Sequence, residues 1–275
     1  MIYQANGKAI NFEQPKVMAI VNLTPDSFYD GGKYDSVKDV LADVAQKMKA
    51  GADMIDIGAA SSRPGSAEIS EAEEWKRLEE ALNTIRKEFT SIPISIDTYR
   101  SEIAKRAASL GADIINDISG GNKDKNMFIT VAALNLPYVL MHMKGDPMTM
   151  QQDPVYKDVV KEVKDELAAK IKQLEALHFK KIILDVGFGF GKNLEHNYSL
   201  LKQLKTVCDL GFPVLAGVSR KSMINKVIHT SAVTSLNGTT AIHTIALLNG
   251  AKILRVHDVL EAKQVIELVQ FYKNV

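Results

Sequence analysis

Residues 94–118 carry the sequence ISIDTYRSEIAKRAASLGADIINDI, and this stretch decides how the rest of the chain is interpreted. Two short apolar runs, Ile94–Thr98 and Asp113–Ile118, flank a segment, Arg100–Leu110, whose apolar residues recur at helical spacing. Gly111 follows that segment, at the position where helices commonly end. The stretch therefore predicts a strand, a helix and a second strand of the βαβ type.

The same unit recurs along the whole chain. Eight short, β-branched runs are too continuously apolar to be surface strands, which is typical of a parallel sheet buried on both faces. They are Val17–Leu23, Asp53–Gly58, Ile94–Thr98, Asp113–Ile118, Tyr138–Met143, Ile182–Gly187, Pro213–Ser219 and Ile253–His257. The amphipathic segments between them are Val37–Lys49, Trp75–Phe89, Arg100–Leu110, Lys123–Leu134, Val155–Leu177, Glu195–Leu204, Leu236–Leu248 and Val259–Tyr272. This alternation, without a glycine fingerprint after the first strand, predicts an α/β fold, a single-domain (β/α)8 TIM barrel over residues 1–275.

Several helix ends can be predicted as well. Ser36 with Asp39, and Ser70 with Glu73, have the spacing of a capping box. The glycines that are expected to end helices are Gly51, Gly111, Gly211 and Gly250.

The bulk composition narrows the class of protein. A chain of 275 residues, 46% of them hydrophobic, suits one α/β barrel. Lys and Arg number 34 against 33 Asp and Glu, so the near-zero net charge argues against wholesale binding to nucleic acid or to an anionic membrane. The single cysteine, Cys208, excludes an internal disulfide and is expected to be a small buried hydrophobe. We find neither a signal-peptide pattern in Met1–Gly7 nor an apolar run long enough to span a bilayer, and we therefore expect a cytoplasmic protein.

A polar side chain ends each predicted strand. In (β/α)8 barrels, the loops at the carboxyl ends of the strands form the active site. The residues at these ends are Asn22, Asp56, Asp97, Asn116 with Asp117, His142, Asp185, Ser219 with Arg220 and Lys221, and Arg255 with His257. Asp97 and Asp117 could instead be helix caps, and Arg255 could form a salt bridge at the barrel rim. Polar ends on all strands, converging on one mouth, nevertheless indicate a pocket.

The predicted pocket has two chemical halves. One half offers acceptors and donors to a planar, nitrogen-rich heterocycle, and its residues are Asp97, Asn116, Asp185 and Lys221. The other half resembles an anion site, with residues Asn22, Ser61, Ser62, Arg63, Arg255 and His257. Gly187–Lys192 lacks both the Walker and the dinucleotide spacing, which excludes those two phosphate-binding loops. The histidines and Cys208 lack the spacing of zinc ligands, which excludes a zinc site.

In order and spacing, these segments resemble the dihydropteroate synthase family. The motifs that carry the resemblance are Asn22–Phe28 with Asp30–Gly32, Asp56–Gly58 leading to Ser61–Gly65, Ile96–Thr98, Ile115–Asp117, Leu140–Met143, Gly187–Asn193, Ser219–Ser222 and Arg255–His257. The resemblance covers about residues 17–258. Each motif alone is modest evidence for the family, but all of them in the same order and spacing are specific to it. The resemblance implies a transferase of folate biosynthesis. It would condense 6-hydroxymethyl-7,8-dihydropterin diphosphate with p-aminobenzoate to give 7,8-dihydropteroate and diphosphate.

The resemblance also implies roles for individual residues. The pterin would be held by Asp97, Asn116, Asp185 and Lys221, and the diphosphate by Asn22, Ser62, Arg63, Arg255 and His257. Mg2+ is the implied cofactor, with Asn22 as a ligand. The p-aminobenzoate pocket, which is the target of sulfonamides in the family, would consist of Phe28, Ser62, Pro64, Phe190, Ser219 and Lys221. Catalysis would depend on Asn22, Asp97, Asp185, Lys221 and Arg255, and a homodimer through the late helices is expected.

The placement of charge suggests a mechanism. Diphosphate leaves from the methylene carbon attached to the pterin, so positive charge develops on a carbon conjugated with the ring. Arginines and Mg2+ stabilise the leaving anion, while nearby carboxylates favour the pterin cation. The aryl amine then attacks that cation, and our hypothesis is therefore a dissociative reaction without a protein nucleophile.

The chain departs from the family pattern in three places. Ala59-Ala60 stands where Gly-Glu is usual, Ser62 replaces the commoner threonine, and Val186 replaces a proline. Without that glutamate, the loop after the second strand is expected to be anchored differently. The change would affect the p-aminobenzoate pocket, to which this loop contributes.

Two alternative functions stay open. One is a pterin-binding methyltransferase acting on methyltetrahydrofolate, which has no use for Ser62–Pro64 or for Arg255 paired with His257. The other is a non-catalytic barrel that binds pterins or sugar phosphates, which would lack the anion cluster.

Overall fold

Eight parallel strands close into a barrel in the computed structural model, which describes residues 1–23, 36–60, 68–145 and 154–275. The barrel strands are β3 (Lys16–Asn22), β4 (Met54–Gly58), β5 (Ile94–Asp97), β6 (Ile114–Asp117), β7 (Tyr138–Met141), β8 (Ile182–Asp185), β9 (Val214–Ala216) and β10 (Ile253–Val256). An antiparallel hairpin, β1 (Ile2–Ala5) and β2 (Lys8–Asn11), precedes them. Each barrel strand pairs with the next one in the chain, and β10 pairs with β3 to close the ring. The predicted (β/α)8 barrel is confirmed, although most strands end earlier than predicted.

Helices follow the barrel strands. They are α1 (Val37–Lys49), α2 (Glu71–Glu88), α3 (Ser101–Ser109), α4 (Met127–Leu134), α5 (Val159–Ala176), α6 (Leu194–Lys202), α7 (Leu204–Cys208), α8 (Ser222–Ile228), α9 (Leu236–Leu248) and α10 (Val259–Asn274). The bounds of α1 and α9 are those predicted from the sequence, whereas α7 and α8 were not predicted. Within the described ranges, none of these helices has the length and apolar character needed to cross a membrane.

Alternation of side chains along the strands creates two hydrophobic layers. Outward residues such as Ile55 and Ile57 join the large core between the strands and the helices. Inward residues in the lower barrel form a second cluster that includes Met54, Ile114, Ile183 and Ile253. The residues two positions further along the same four strands are Asp56, Asn116, Asp185 and Arg255. Because successive strand residues point to opposite faces, residues two positions apart point to the same side. These four strands therefore line the barrel interior with apolar side chains below and polar side chains at the mouth.

The hairpin covers the amino-terminal end of the barrel. Tyr3 and Phe12 pack edge to face with ring centroids 5.4 Å apart, and both join the inner cluster. The Tyr3 hydroxyl donates to the Ile182 carbonyl at 2.7 Å, and Lys8 pairs with the buried Asp113 at 2.9 Å. This end is therefore covered by protein, which leaves the carboxyl ends of the strands for a site.

Ser36 and Ser70 are confirmed as N-caps, although of these two described pairs only Ser36 and Asp39 form the full capping box. The Ser36 backbone N–H donates to Asp39 Oδ2 at 2.9 Å, and Ser70 Oγ accepts from the Glu73 N–H at 3.2 Å. The predicted C-terminal glycines all have positive φ: Gly51, Gly111, Gly211 and Gly250. Cys208 is partly buried against the large core, and burial raises the pKa of its thiol, so it packs as a small hydrophobe.

His243 on α9 supports a prediction about stability. It is almost fully buried, and neither ring nitrogen has a hydrogen-bond partner within the described ranges. Burial lowers the pKa of His243 to about 4, although Asp258 opposes the shift. The unfolded chain takes up this proton near pH 6.5 and the folded chain only near pH 4. The free energy of unfolding should therefore fall by about 3 kcal/mol as pH drops through this window.

Urea unfolding near pH 7 and near pH 4.5 tests this expectation. His243→Leu should remove the share of the pH-dependent loss of stability that comes from His243, because leucine has no proton to gain. His178→Asn changes an exposed histidine and should leave that loss unchanged. An equal pH dependence in wild type and His243→Leu would contradict the prediction.

Candidate active site

A cluster of buried charges occupies the carboxyl-terminal mouth of the barrel. Arg255 on β10 lies between two carboxylates, with its Nε donating to Asp56 Oδ2 at 2.6 Å and its Nη2 donating to Asp97 Oδ2 at 2.9 Å. Asn116 Nδ2 donates to the same Asp56 oxygen at 3.0 Å. The barrel thus brings together Asp97, Asn116 and Arg255, which lie far apart in the sequence.

Asp56 is the centre of this cluster, although its sequence position predicts only that it ends a strand. Its side chain is fully buried, and its Oδ1 has no hydrogen-bond partner in the part of the chain that the structure describes. A buried acceptor of this kind suits a water molecule or a bound ligand. The signal that could have revealed Asp56 is its inward register two residues after Met54, since Asn116 and Asp185 have the same register on their strands.

Arg255 connects the two predicted halves of the pocket, because it belongs to the anion half and contacts Asp97 of the heterocycle half. It does form salt bridges, as the alternative interpretation of this residue required, but they lie inside the mouth and include the predicted pterin ligand Asp97. Burial opposes the charge of Arg255, but Asp56 and Asp97 outweigh it and raise the pKa, so the guanidinium stays charged. Burial raises the pKa of Asp97 to about 7, with Arg255 opposing the shift and Asp56 adding to it. The charge of the mouth therefore changes near neutral pH.

Asp185 and Lys221 form the second part of the mouth. They flank Gly217, where a methyl group would lie 3.9 Å from both Asp185 Oδ2 and Lys221 Nζ. Lys221 Nζ donates to the Phe188 carbonyl at 2.5 Å and lies 4.7 Å from the centroid of the Phe190 ring. Burial raises the pKa of Asp185 and lowers that of Lys221 to about 8, while each opposes the shift of the other. Lys221 therefore lies between Asp185, a predicted pterin residue, and Phe190, a predicted p-aminobenzoate residue.

Asn22, Ser219 and His257 are further predicted site residues in the described ranges. A methyl group on Gly58 would lie 3.6 Å from Asn22 Oδ1 and 3.7 Å from Asp97 Oδ2, so Asn22 and Asp97 border the same space. The His257 backbone N–H donates to Ser219 Oγ at 3.3 Å, which connects the ends of two neighbouring strands. The remaining predicted site residues lie outside the described residues: Phe28, Ser61, Ser62, Arg63 and Pro64.

The two candidate cap residues differ in role. Asp117 accepts hydrogen bonds from the backbone N–H groups of Ser119 and Gly121, at 2.7 and 2.8 Å, and from the Tyr138 hydroxyl at 2.7 Å. It therefore holds a turn. The cap interpretation is wrong for Asp97, because its carboxylate pairs with Arg255 in the mouth.

Arginines hold the chain on both sides of residues 61–67. Arg77 Nη1 donates to the Ala59 carbonyl at 3.2 Å, and Arg100 Nη2 donates to the Ile69 carbonyl at 2.6 Å. Arg100 also pairs with the buried Glu74. These contacts fix the backbone at Ala59 and Ile69, which belong to the described residues before and after positions 61–67.

Comparisons with known proteins agree with this site. The model of the pterin binding enzyme family matches residues 18–257. The chain is 40% identical over 272 residues to a dihydropteroate synthase of Haemophilus influenzae, a match that covers 98% of each protein. It is similar to the solved structure of Yersinia pestis dihydropteroate synthase with a sulfonamide drug complex, with a TM-score of 0.95, 36% identity, and coverage of 100% of this chain and 99% of that one. It is also similar to the Xanthomonas albilineans dihydropteroate synthase solved with 4-aminobenzoic acid, with a TM-score of 0.91, 36% identity, and coverage of 100% and 98%.

A closed parallel barrel with charged side chains at the carboxyl ends of its strands defines the class, a (β/α)8-barrel enzyme with a site for a small polar molecule. The chain belongs to the pterin-binding enzyme family and, within that family, to the dihydropteroate synthases. These relatives favour a synthase over the methyltransferase and the binding-only barrel that the sequence left open.

Proposed function

We propose that this chain condenses 6-hydroxymethyl-7,8-dihydropterin diphosphate with p-aminobenzoate, giving 7,8-dihydropteroate and diphosphate in folate biosynthesis. The observation that carries the proposal is the mouth in which Arg255 bridges Asp56 and Asp97 while Asp185 and Lys221 flank Gly217. The carboxylates of this mouth already have cationic neighbours. A planar, neutral ring with several N–H groups can therefore enter without burying a further uncompensated charge.

The pterin is proposed to bind to Asp97, Asn116, Asp185 and Lys221. Carboxylate oxygens of Asp97 and Asp185 accept N–H bonds from the amino-pyrimidinone edge, and Lys221 donates to its acceptors. Each charge-assisted hydrogen bond of this kind contributes about 1.5–3 kcal/mol. The buried Asp56 Oδ1 offers one more acceptor at the floor of the same mouth.

The diphosphate is proposed to bind to Asn22, Ser62, Arg63, Arg255 and His257, with Mg2+ as cofactor. The carbonyl oxygen of Asn22 borders the mouth and is a hard ligand of the type that Mg2+ prefers. A single protein ligand suits Mg2+, which usually keeps several waters and binds through one or two protein groups together with substrate phosphates. When bound, the ion supplies positive charge to the leaving diphosphate.

The p-aminobenzoate pocket is proposed to consist of Phe28, Ser62, Pro64, Phe190, Ser219 and Lys221. Among the described members, Lys221 Nζ lies over the Phe190 ring, 4.7 Å from its centroid. An aromatic acid can stack on the ring and pair with the ammonium. The 4-aminobenzoic acid in the Xanthomonas relative and the sulfonamide in the Yersinia relative support both this substrate and a sulfonamide-binding pocket.

The charges also support the proposed order of steps. Departure of diphosphate leaves positive charge on the methylene carbon and the pterin ring, close to Asp97 and Asp185. Preorganised carboxylates stabilise such a cation without the cost of reorienting water. The amine of p-aminobenzoate then forms the C–N bond and loses a proton, so the reaction needs no covalent enzyme intermediate.

The test is to supply the pterin diphosphate and Mg2+ with and without p-aminobenzoate, and to measure diphosphate and dihydropteroate. With both substrates, equal amounts of the two products are expected. Slow release of diphosphate from the pterin substrate alone would support the dissociative order. No release with both substrates present would overturn the proposed function.

The pH dependence of kcat/KM is expected to be bell-shaped. Asp97, with a pKa of about 7, must be ionised to accept N–H bonds and stabilise the cation, so activity falls below that pH. Lys221, with a pKa of about 8, must be protonated to donate, so activity falls above that pH. Because the groups interact, the two apparent pKa values belong to the mouth as a whole. Asp97→Asn should remove the acid limb while Lys221→Arg removes the alkaline limb, and a flat profile of wild type between about pH 6 and 9 would contradict the assignment.

We further propose a homodimer that forms through α9 and α10. Exposed apolar side chains line one stripe of α10 at Leu260, Leu268 and Phe271, and Ile245 and Leu248 are exposed on neighbouring α9. Apolar surface of this kind marks an interaction site. Analytical ultracentrifugation should give a dimer for wild type and a monomer for Leu268→Glu with Phe271→Glu. A wild-type monomer at micromolar concentration would overturn this proposal.

A further inference from the structure

Lys192 is a buried lysine that the proposed reaction does not use. It ends the glycine-rich segment Gly187–Lys192 between β8 and α6, and only 2% of its surface is exposed. Its Nζ lies 2.9 Å from His142 Nδ1 and donates to the Phe190 carbonyl at 2.9 Å. Burial lowers the pKa of Lys192 to about 7, with Asp185 opposing the shift. A buried ammonium of this kind depends on the acceptors around it.

His142 extends this contact to helix α5. Its Nε2 lies 3.2 Å from Glu166 Oε2, and the other oxygen of Glu166 lies 2.8 Å from Lys170 Nζ. Burial lowers the pKa of His142, with Glu166 opposing the shift, so the ring is neutral at pH 7. A neutral imidazole between an ammonium and a carboxylate accepts at Nδ1 and donates from Nε2–H. One tautomer of His142 therefore connects Lys192 to Glu166.

The β8–α6 loop lies directly against the backbone that follows β7. A methyl group on Gly187 would lie 2.0 Å from the His142 carbonyl oxygen, and one on Gly191 would lie 2.2 Å from the Lys144 carbonyl oxygen. The Tyr156 hydroxyl donates to the Gly191 carbonyl at 2.9 Å. The loop is thus packed backbone to backbone on this side, and the Lys192 side chain joins the two segments.

The same loop supplies the surroundings of Lys221. Its Phe188 carbonyl accepts from Lys221 Nζ, and its Phe190 ring faces that ammonium. Lys192 and Lys221 therefore bind carbonyls two residues apart in one loop. Any shift of the Phe190 carbonyl that follows loss of Lys192 would move the groups that orient Lys221.

We infer that Lys192 is a positioning residue, which holds the Phe190 carbonyl and His142 together and thereby places Phe190 and Lys221 for the second substrate. This inference rests on the proposed function, because p-aminobenzoate is taken from it as the molecule that contacts Phe190 and Lys221. Lys192 itself does not touch that substrate. Its role is distinct from general support of the fold, because its contacts converge on one wall of the mouth.

Lys192→Met tests the inference, since methionine fills similar space without a charge or a donor. The KM for p-aminobenzoate should rise on the order of tenfold, whereas the Kd of the pterin diphosphate should stay within about twofold of wild type. Lys181→Met is the matched control, because Lys181 also donates to two carbonyls, of Gln4 and Asn135, at 2.7 Å each. That control should change neither constant. A folded Lys192→Met with an unchanged KM for p-aminobenzoate, or with KM and Kd raised together, would overturn the inference.

Lys192→Gln provides a second variant if the methionine variant does not fold. Its amide still donates to a carbonyl but carries no charge, so a smaller rise of the same KM is expected, and an unchanged value would overturn the inference. Spectra of ¹⁵N-labelled histidine give a readout that does not depend on activity. His142 should show the Nε2–H tautomer in wild type and a shifted Nδ1 signal in Lys192→Met, while His178 stays unchanged. If wild type makes no dihydropteroate, the proposed function fails, whereas an unshifted His142 signal refutes the contact itself.

Discussion

Replacing Arg255 with methionine is expected to lower kcat/KM for the pterin diphosphate by about 10³-fold or more. Arg255 is the cation between Asp56 and Asp97, at 2.6 and 2.9 Å. Without it, two buried carboxylates repel each other, and Asp97, whose pKa burial already raises to about 7, is protonated at neutral pH. The pterin then loses an anionic acceptor, and the leaving diphosphate loses a proposed cationic ligand. Steady-state kinetics with both substrates measures the effect.

The same variant should also lose stability, by about 3–5 kcal/mol, because removing one partner of a buried ion pair leaves the other uncompensated. Arg86→Met is the control that separates the loss of stability from the loss of kcat/KM. Arg86 pairs with the fully buried Asp113 at 2.5 Å, and its own side chain is about as exposed as that of Arg255, at 16% against 20%. It lies at the opposite end of the barrel, so Arg86→Met should lower the free energy of unfolding while kcat/KM stays near wild type. Equal losses of kcat/KM in the two variants would refute a specific role of Arg255.

The fold could be predicted because its strands are apolar on both faces. Runs such as Ile182–Gly187 and Ile253–His257 stand out from the amphipathic helices, and their number and alternation define the barrel. The β1–β2 hairpin could not be found in the same way. Its strands are short and half exposed, so the sequence gives no strong strand pattern there. Tyr3 and Phe12 are buried only because they pack against the inner cluster of the barrel.

The site could be predicted as a set of residues but not as a set of contacts. Strand ends identify which polar groups reach the mouth, and Asp97, Asn116, Asp185 and Lys221 are found there. Which of them pair depends on barrel closure, because β10 becomes a neighbour of β3 only when the ring closes, and closure brings Arg255 on β10 near Asp56 on β4. The bridge from Arg255 to Asp56 is therefore a tertiary feature. The role of Lys192 could not be predicted for a related reason, since its partner His142 follows β7 and lies 50 residues earlier in the chain.

Replacing Gly187 with alanine is expected to cost more than about 3 kcal/mol of unfolding free energy and on the order of 10²-fold in kcat/KM. Its φ is +67°, and an added methyl group would lie 2.0 Å from the carbonyl oxygen of His142, whose own N–H is tied to the Asp185 carbonyl at 2.9 Å. Since that backbone cannot move away, the β8–α6 loop must shift instead. The shift would break the 2.7 Å bond from the Gly187 N–H to Asp185 Oδ1 and displace the Phe188 carbonyl that orients Lys221.

Gly211→Ala isolates the contribution of backbone conformation to this effect. Gly211 has a φ of +87°, but apart from its chain neighbours no atom of the described residues lies within 4 Å of a methyl group added there. Its replacement should cost only about 1 kcal/mol, the ordinary penalty of a positive φ, and should leave kcat/KM unchanged. Urea unfolding and steady-state kinetics on both variants measure the difference. If the two alanine variants lost equal stability and equal activity, the close approach of the loop to His142 would not be what holds the mouth in place.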